Sequence, residues 1–302
     1  MSLSSSKKVV FLFLFSLLFT CGIAQPIMRI GVIADIQYAD IEPAGTRFYR
    51  NSLKKLEDCV AELNREKVDF SVNLGDLVDR NPADLEAIMS RLRALHKPFY
   101  NTPGNHDYEG VDNNDQLYQR MGMPSSYYSF TNGNWTFIML NTNEVASYAN
   151  IKGTQLEQEH AELIRKIKER GRDNDRPWNG GVSKQQLKWL VKQLKKAQRK
   201  GQQVMVFTHH PLYPPFGATA LNDQEILETL AGYACVKGVI SGHHHTGEFG
   251  VYEGIPCITT EGMIETADTN AYGILEIYPE KFVLIGKGRT KSYEWELKPK
   301  AN

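Results

Sequence analysis

The chain has 302 residues, and its 35 Lys and Arg balance 35 Asp and Glu. That length supports one large domain or two small ones. The neutral balance supplies no argument for a nucleic-acid or membrane-surface partner, and none is expected.

At the N-terminus Lys7 and Lys8 precede an apolar run over 9–19, and small residues follow at Gly22 and Ala24. A charged start, a short apolar centre and a small-residue exit make the pattern of a secretory signal peptide. We expect residues 1–24 to be a cleaved leader and 25–302 to be the folded domain. The mature protein is then expected in a periplasmic or extracellular space. The apolar run is shorter than the roughly 20 residues a membrane span needs, so no stable membrane association is expected after cleavage. Leu18-Phe-Thr-Cys21 is a poor acylation box. Cys59, Cys235 and Cys257 remain after cleavage, and an odd number leaves at least one thiol unpaired. Cys59 reads as a small buried residue of a helix, and a Cys235–Cys257 bridge stays open.

Further along, short apolar runs rich in Val, Ile, Phe and Tyr predict strands. They lie over 27–34, 70–74, 99–101, 127–130, 136–140, 204–208, 236–240, 249–252, 255–259, 272–277 and 282–285. Helices are predicted over 47–65, 82–95, 154–170, 183–200 and 223–233, with Ser183 as an N-cap. The lysines of 183–200 read as a solvated helix face. The charged stretch 144–181 reads as an insertion between core elements. Strand and helix alternate in the front half, and strands dominate the back third. That order predicts one α/β domain of two packed sheets flanked by helices.

Five polar motifs follow, or nearly follow, these apolar runs: Asp35-Ile-Gln37, Gly75-Asp76-Leu-Val-Asp79, Gly104-Asn105-His106-Asp107, His209-His210 and Gly242-His243-His244-His245. Ligands in α/β sheets bind in the crevice beyond the strand ends. Gln37 is two residues from Asp35 and shares its face in extended chain, as His245 shares the face of His243. Amide oxygens at Gln37 and Asn105 are hard, neutral ligands suited to Mn2+, Mg2+ or Ca2+. Asp76 is placed to bridge two cations. His106 is the expected proton donor or charge stabiliser, with Asp107 expected to orient its imidazole and the nearby Glu109 left open as the alternative acid. Two divalent cations less Asp35 and Asp76 leave a surplus near +2, suited to an anionic phosphate or diphosphate. Asp79 reads as a supporting residue or a helix cap. Tyr38, Tyr108, Tyr213, Phe216 and His244 lie close to these loops in sequence and are candidate substrate contacts.

In this order the motifs resemble the calcineurin-like metallophosphoesterase superfamily, from about Met28 to Ile285. Three blocks sharpen the resemblance: Asp35-Ile-Gln37-Tyr-Ala-Asp40, with Gln where most of the superfamily has His; Asn179-Gly-Gly-Val-Ser-Lys-Gln-Gln-Leu-Lys-Trp189-Leu; and Glu261-Gly-Met-Ile-Glu265-Thr-Ala, with Gly273 downstream. Together they look like the manganese-dependent ADP-ribose/CDP-alcohol diphosphatases. The resemblance implies a four-layer α/β/β/α sandwich and two divalent cations, with manganese first among the metals. It places one metal on Asp35, Gln37, Asp76 and His245, and the other on Asp76, Asn105, His209 and His243. It further implies in-line attack by a metal-bridging hydroxide on the diphosphate of ADP-ribose or a CDP-alcohol, releasing AMP or CMP. His244 departs from the Thr often found in that block. The alternative is a broad phosphodiesterase or phosphomonoesterase of the same fold. A purple acid phosphatase is disfavoured, because its iron-ligating Tyr lies near position 79, which here is Asp.

Overall fold

The computed structural model describes residues 25–297. The expected leader, and Cys21 within it, lies outside the described residues. Strands β1 (Met28–Ile33), β2 (Phe70–Asn73) and β3 (Phe99–Asn101) run parallel, and helices α1 (Asn51–Arg65) and α2 (Leu85–Leu92) connect them. After α3 (Asn114–Arg120) the chain crosses to a second sheet through β4 (Tyr128–Asn132) and β5 (Trp135–Met139). Helices α4 (Gln155–Glu169) and α5 (Lys184–Arg199) precede β6 (Gln203–Phe207); α6 (Asp223–Ala231) leads to β7 (Val236–Ser241), β8 (Thr246–Tyr252) and β9 (Ile255–Glu261). The chain then returns to the first sheet with β10 (Ala271–Ile277), β11 (Lys281–Gly288) and β12 (Tyr293–Glu296). The two mixed six-stranded sheets have the orders β12-β11-β10-β1-β2-β3 and β4-β5-β6-β7-β9-β8.

Period-two burial sets the layers. Phe137, Met205, Phe207, Ile240 and Ile258 turn one face of the second sheet into the core shared with Val72, Leu275 and Phe282 of the first. Their neighbours Ile138, Val204, Val206, Val239 and Cys257 turn the other face toward Leu190 and Leu194 of α5 and Ile226 and Leu230 of α6. Side chains alternate across a strand, so one apolar run feeds both layers. On the outer face of the first sheet Leu63 of α1 packs so closely on Gly31 that an added Cβ would lie 2.8 Å from its Cδ1. The layers are helix, sheet, sheet, helix, as expected.

The predicted strands are all present with shifted ends. Helix α1 starts at Asn51 rather than 47, because Arg47 pairs in extended form with Ala44 and Glu265. A 3-10 turn at Pro82–Asp84, capped by Asn81, precedes the shorter α2. Sequence reading missed α3, which has only seven residues, and the exposed edge strand β12. Ser183 does cap α5, accepting from Gln186 N at 3.0 Å. Cys59, Cys235 and Cys257 are buried free thiols, so the open bridge is not formed.

Candidate metal centre

Three loops of the first sheet face two of the second. Asp35 and Gln37 follow β1, Asp76 follows β2 and Asn105 follows β3; His209 follows β6, and His243 and His245 follow β7. Among the described residues eight non-glycines adopt positive φ, and four are in this set: Asp35 (52°), Gln37 (44°), Asp76 (55°) and His243 (69°). Each such residue costs about 1–3 kcal/mol, a cost retained where function needs the geometry. Glycines make the room. A Cβ on Gly104 would lie 2.1 Å from Asp76 Oδ1, and one on Gly75 would lie 2.5 Å from Gly104 N.

The structure brings together all seven residues expected to hold metal. Asp35, Asp76 and His245 form one cluster of convergent ligand atoms, and His209, His210 and His243 form another. Asp76 lies between them, with Oδ2 2.8 Å from Gln37 Nε2 and 3.6 Å from His209 Nε2. Asn105 Oδ1 lies 3.1 Å from His209 Nε2, and His243 Nδ1 lies 3.1 Å from the same atom.

The donor set fits cations on a structural test. His209 Nδ1 donates to Leu74 O at 2.8 Å, so its Nε2 carries a lone pair. His245 Nδ1 donates to Glu265 Oε1 at 2.8 Å, which turns Nε2 inward toward Asp35. His243 Nε2 faces Asn179 Oδ1 at 3.1 Å, leaving Nδ1 for the cluster. Lone pairs of His209, His243 and Asn105 therefore converge at hydrogen-bond distance without a hydrogen to share. Two ligands at right angles, each about 2.1 Å from one ion, sit about 3.0 Å apart, so a cation suits this spacing. Gln37 Oε1 is buried without a hydrogen-bond partner, as an amide ligand awaiting a metal would be. His210 belongs to the cluster by distance only. Its ring nitrogens meet Thr142 Oγ1 at 2.9 Å and Trp178 O at 3.1 Å.

The electrostatics agree for two of the rings, whereas at His245 burial is outweighed by Asp35 and Glu265, which raise it to about 9, so a cation there would replace a proton. Burial first, and then the imidazoles of His210 and His209, hold His243 well below the ordinary histidine value. Burial and His209 bring His210 down to about 3. Both rings are thus neutral, the form that binds metal. Burial pushes Asp76 up, but His209 and His106 outweigh it and hold the carboxylate below its ordinary value. Burial also opposes charge on His106, yet Asp76, Asp79 and Glu109 hold it raised.

The expected orienting role of Asp107 is corrected. Its carboxylate accepts from Asp76 N (2.9 Å), Leu77 N (2.8 Å), Val78 N (3.2 Å) and Gly104 N (2.9 Å). It pins the turn that carries Asp76 and does not touch His106. His106 Nδ1 instead hydrogen-bonds the backbone Asp79 O at 3.2 Å and lies within ion-pair reach of Asp79 Oδ1 at 3.1 Å and Glu109 Oε1 at 3.2 Å. Residues 106–108 form a 3-10 turn, in which positions i and i+3 eclipse and adjacent side chains diverge. Glu109 therefore joins His106, and Asp107 turns inward.

Over the centre opens a cavity of about 870 Å³. His106 and His244 line it, with Arg47, Arg176 and Trp178 on its walls. Phe216, also a candidate, lines it edge-on to His244 with ring centroids 4.8 Å apart. The three candidate tyrosines do not line it. Tyr108 is buried, its hydroxyl 3.0 Å from that of Tyr118. Tyr213 packs over Gly250 and against Tyr252. Tyr38 pairs its backbone with Val78, and its hydroxyl senses Asp84 and Asp40. Nearness in sequence to a loop does not place a ring in the cavity, because alternate residues point to opposite sides. Trp178 and Arg176, missed from sequence, lie in the segment read as an insertion, which carries no local motif.

The calcineurin-like phosphoesterase family matches residues 28–247 of this chain. The chain belongs to that family. The manganese-dependent ADP-ribose/CDP-alcohol diphosphatase of Oryza sativa subsp. japonica is 28% identical over 311 residues, covering 91% of this chain and 96% of its own length. The Homo sapiens protein of the same name is 27% identical over 317 residues, covering 88% and 92%. Among solved structures, a dimetal phosphatase from Danio rerio superposes with a TM-score of 0.81 at 26% identity, covering 91% of this chain and 100% of its own. In this phosphoesterase the polar loops of both sheets meet at one edge, where the candidate metal ligands gather at strand ends.

Proposed function

We propose that this phosphoesterase hydrolyses the diphosphate of ADP-ribose or CDP-alcohols with two divalent cations, Mn2+ first among them, releasing AMP or CMP. The observation that carries the proposal is the convergence of imidazole lone pairs and buried carboxylates beneath a cavity walled by guanidinium groups and an exposed indole. The names of the relatives support the same substrate class. One cation would be held by Asp35, Gln37, Asp76 and His245, and the other by Asp76, Asn105, His209 and His243. Bound cations of this kind lower the pKa of water and offset phosphate charge.

The chain's own groups do the rest. His106 has Nδ1 engaged by Asp79 and Glu109, which leaves Nε2 for the cavity. Raised in pKa, it stays protonated to stabilise charge on phosphorus or to give its proton to the leaving oxygen. Arg47 and Arg176 supply cations along the walls to offset the remaining diphosphate charge. Trp178 is 50% exposed at the cavity, and its flat face suits a base or ribose.

We also propose export of the mature chain from residue 25, on the leader pattern of residues 1–24. N-terminal sequencing of secreted protein checks this; an intact Met1 defeats it.

The functional test incubates the enzyme with Mn2+ and ADP-ribose, CDP-choline or an aryl phosphodiester, following nucleotide release by chromatography. The expected result is AMP or CMP release faster than aryl ester cleavage. Hydrolysis of the aryl ester alone moves the substrate to a simple phosphodiester. Full turnover by Asp76→Ala overturns the metal assignment itself.

A further inference from the structure

The 144–181 excursion leaves and rejoins the second layer at one point, where Val145 and Gly181 exchange two backbone hydrogen bonds of 3.0 Å. Just before it closes lies Asn179, 1% exposed. Its amide is locked, because Nδ2 donates to Asn174 O and to Gly217 O, both at 2.9 Å. With both hydrogens committed, Oδ1 can only accept, and it lies 3.1 Å from His243 Nε2. The proton of His243 must then sit on Nε2, so Nδ1 keeps the lone pair that faces His209. A neutral imidazole has one donor and one acceptor nitrogen, and its partner decides which is which.

The same amide reaches the cavity from two sides. Trp178, its neighbour, forms one lip, and Trp178 O is tied to His210 Nε2 at 3.1 Å and Tyr148 Oη at 3.3 Å. Gly217, which receives one Asn179 hydrogen, sits between Phe216 and Ala218 on the other lip. Asn179 therefore touches a candidate metal ligand and both lips.

We propose that Asn179 is a positioning residue that holds His243 in its metal-binding tautomer and sets the gap between the 176–178 and 216–218 lips, so that cation uptake and nucleotide seating are linked. This rests on the function proposed above. The Asn179 amide divides its work between its two atoms. Oδ1 serves the metal ligand, and Nδ2 serves the lips. Two variants separate them. Asn179→Ala removes both. Asn179→Asp keeps an acceptor for His243 but cannot donate to Asn174 O and Gly217 O.

The experiment titrates Mn2+ into each protein and reads free Mn2+ by electron paramagnetic resonance, which needs no turnover; KM for ADP-ribose is measured alongside. Loss of an oxygen partner behind a metal-binding histidine costs about 10–100-fold in affinity. One of two Mn2+ sites in Asn179→Ala should weaken by that factor. Asn179→Asp should bind both ions within about threefold of wild type and show KM raised about tenfold, the order of effect of losing a hydrogen bond that seats the lip. Wild type binding fewer than two Mn2+ would sink the functional reading. Wild type binding two, with Asn179→Ala binding them equally well, sinks only the role of Asn179. Should Asn179→Ala lack native circular dichroism, Asn179→Asp decides alone: lost Mn2+ affinity or unchanged KM overturns the proposal.

Discussion

Asp79 is 2% exposed and draws three groups together: His106 Nδ1 at 3.1 Å, Arg80 Nε at 3.0 Å and Arg47 at 3.8 Å. With Asp76 and Glu109 it holds the His106 proton in place against burial. Asp79→Asn preserves shape and removes the charge. We expect kcat to fall about 10²-fold, the low end for losing a positioned acid, with Mn2+ affinity unchanged because Asp79 faces the imidazole and not the cluster. Single-turnover kinetics beside a Mn2+ titration checks both; an unchanged kcat would leave His106 without an orienting acid. At this scale the metal-site residues were legible, because each ends an apolar run. The choice of Asp79 over Asp107 was not. It depends on a 3-10 turn that pairs His106 with Glu109 and sends Asp107 to four backbone N–H groups.

Helix α1 carries a second buried charge. Lys55 Nζ donates to Met263 O, to Glu265 O at 3.0 Å and to Thr266 O at 2.9 Å. Arg289 reaches the same segment from beyond β11, donating to Gly262 O at 3.0 Å and His245 O at 3.1 Å. The two cations strap down the segment whose Glu265 fixes His245. Burial, then Arg289, pulls Lys55 down to about 8. The sign follows from linkage. A lysine whose folded pKa lies below its unfolded value releases its proton first in the fold, so stability rises with pH between about 8 and the ordinary lysine value, and below that window the full cost of the buried charge is carried. In Lys55→Met this pH-dependent rise should vanish, while hydrogen exchange in 262–266 speeds up. Denaturant midpoints at pH 7 and pH 9.5 for both proteins test it; parallel midpoints would mean that Lys55 does not titrate in that window. Nothing in the local sequence pattern singles out Lys55. Its burial follows from carbonyls about 210 positions away, which no helical period reveals.

Across the molecule, the candidate ligands come from both sheets, so a bound cation pair would add links between layers already joined by apolar packing and by hydrogen bonds such as His209 Nδ1 to Leu74 O. Ligands that bind only the folded state stabilise by mass action, about 2.7 kcal/mol at a hundred times Kd. We therefore expect Mn2+ to raise Tm and a chelator to lower it, and Asp76→Ala to lose most of that response. Equal Tm with and without chelator would place the cations outside the fold's energetics. The sequence by itself determined the layer order and named the seven candidate ligands that the fold brings to one edge, because strands announce themselves by burial on both faces and their tips deliver polar residues to that edge. Only the tertiary structure decided which acid meets His106, which aromatic rings reach the cavity and what Asn179 holds. Those choices depend on side-chain direction at irregular turns and on contacts such as Asp35 with His243 N, 208 positions apart, where local pattern carries no information.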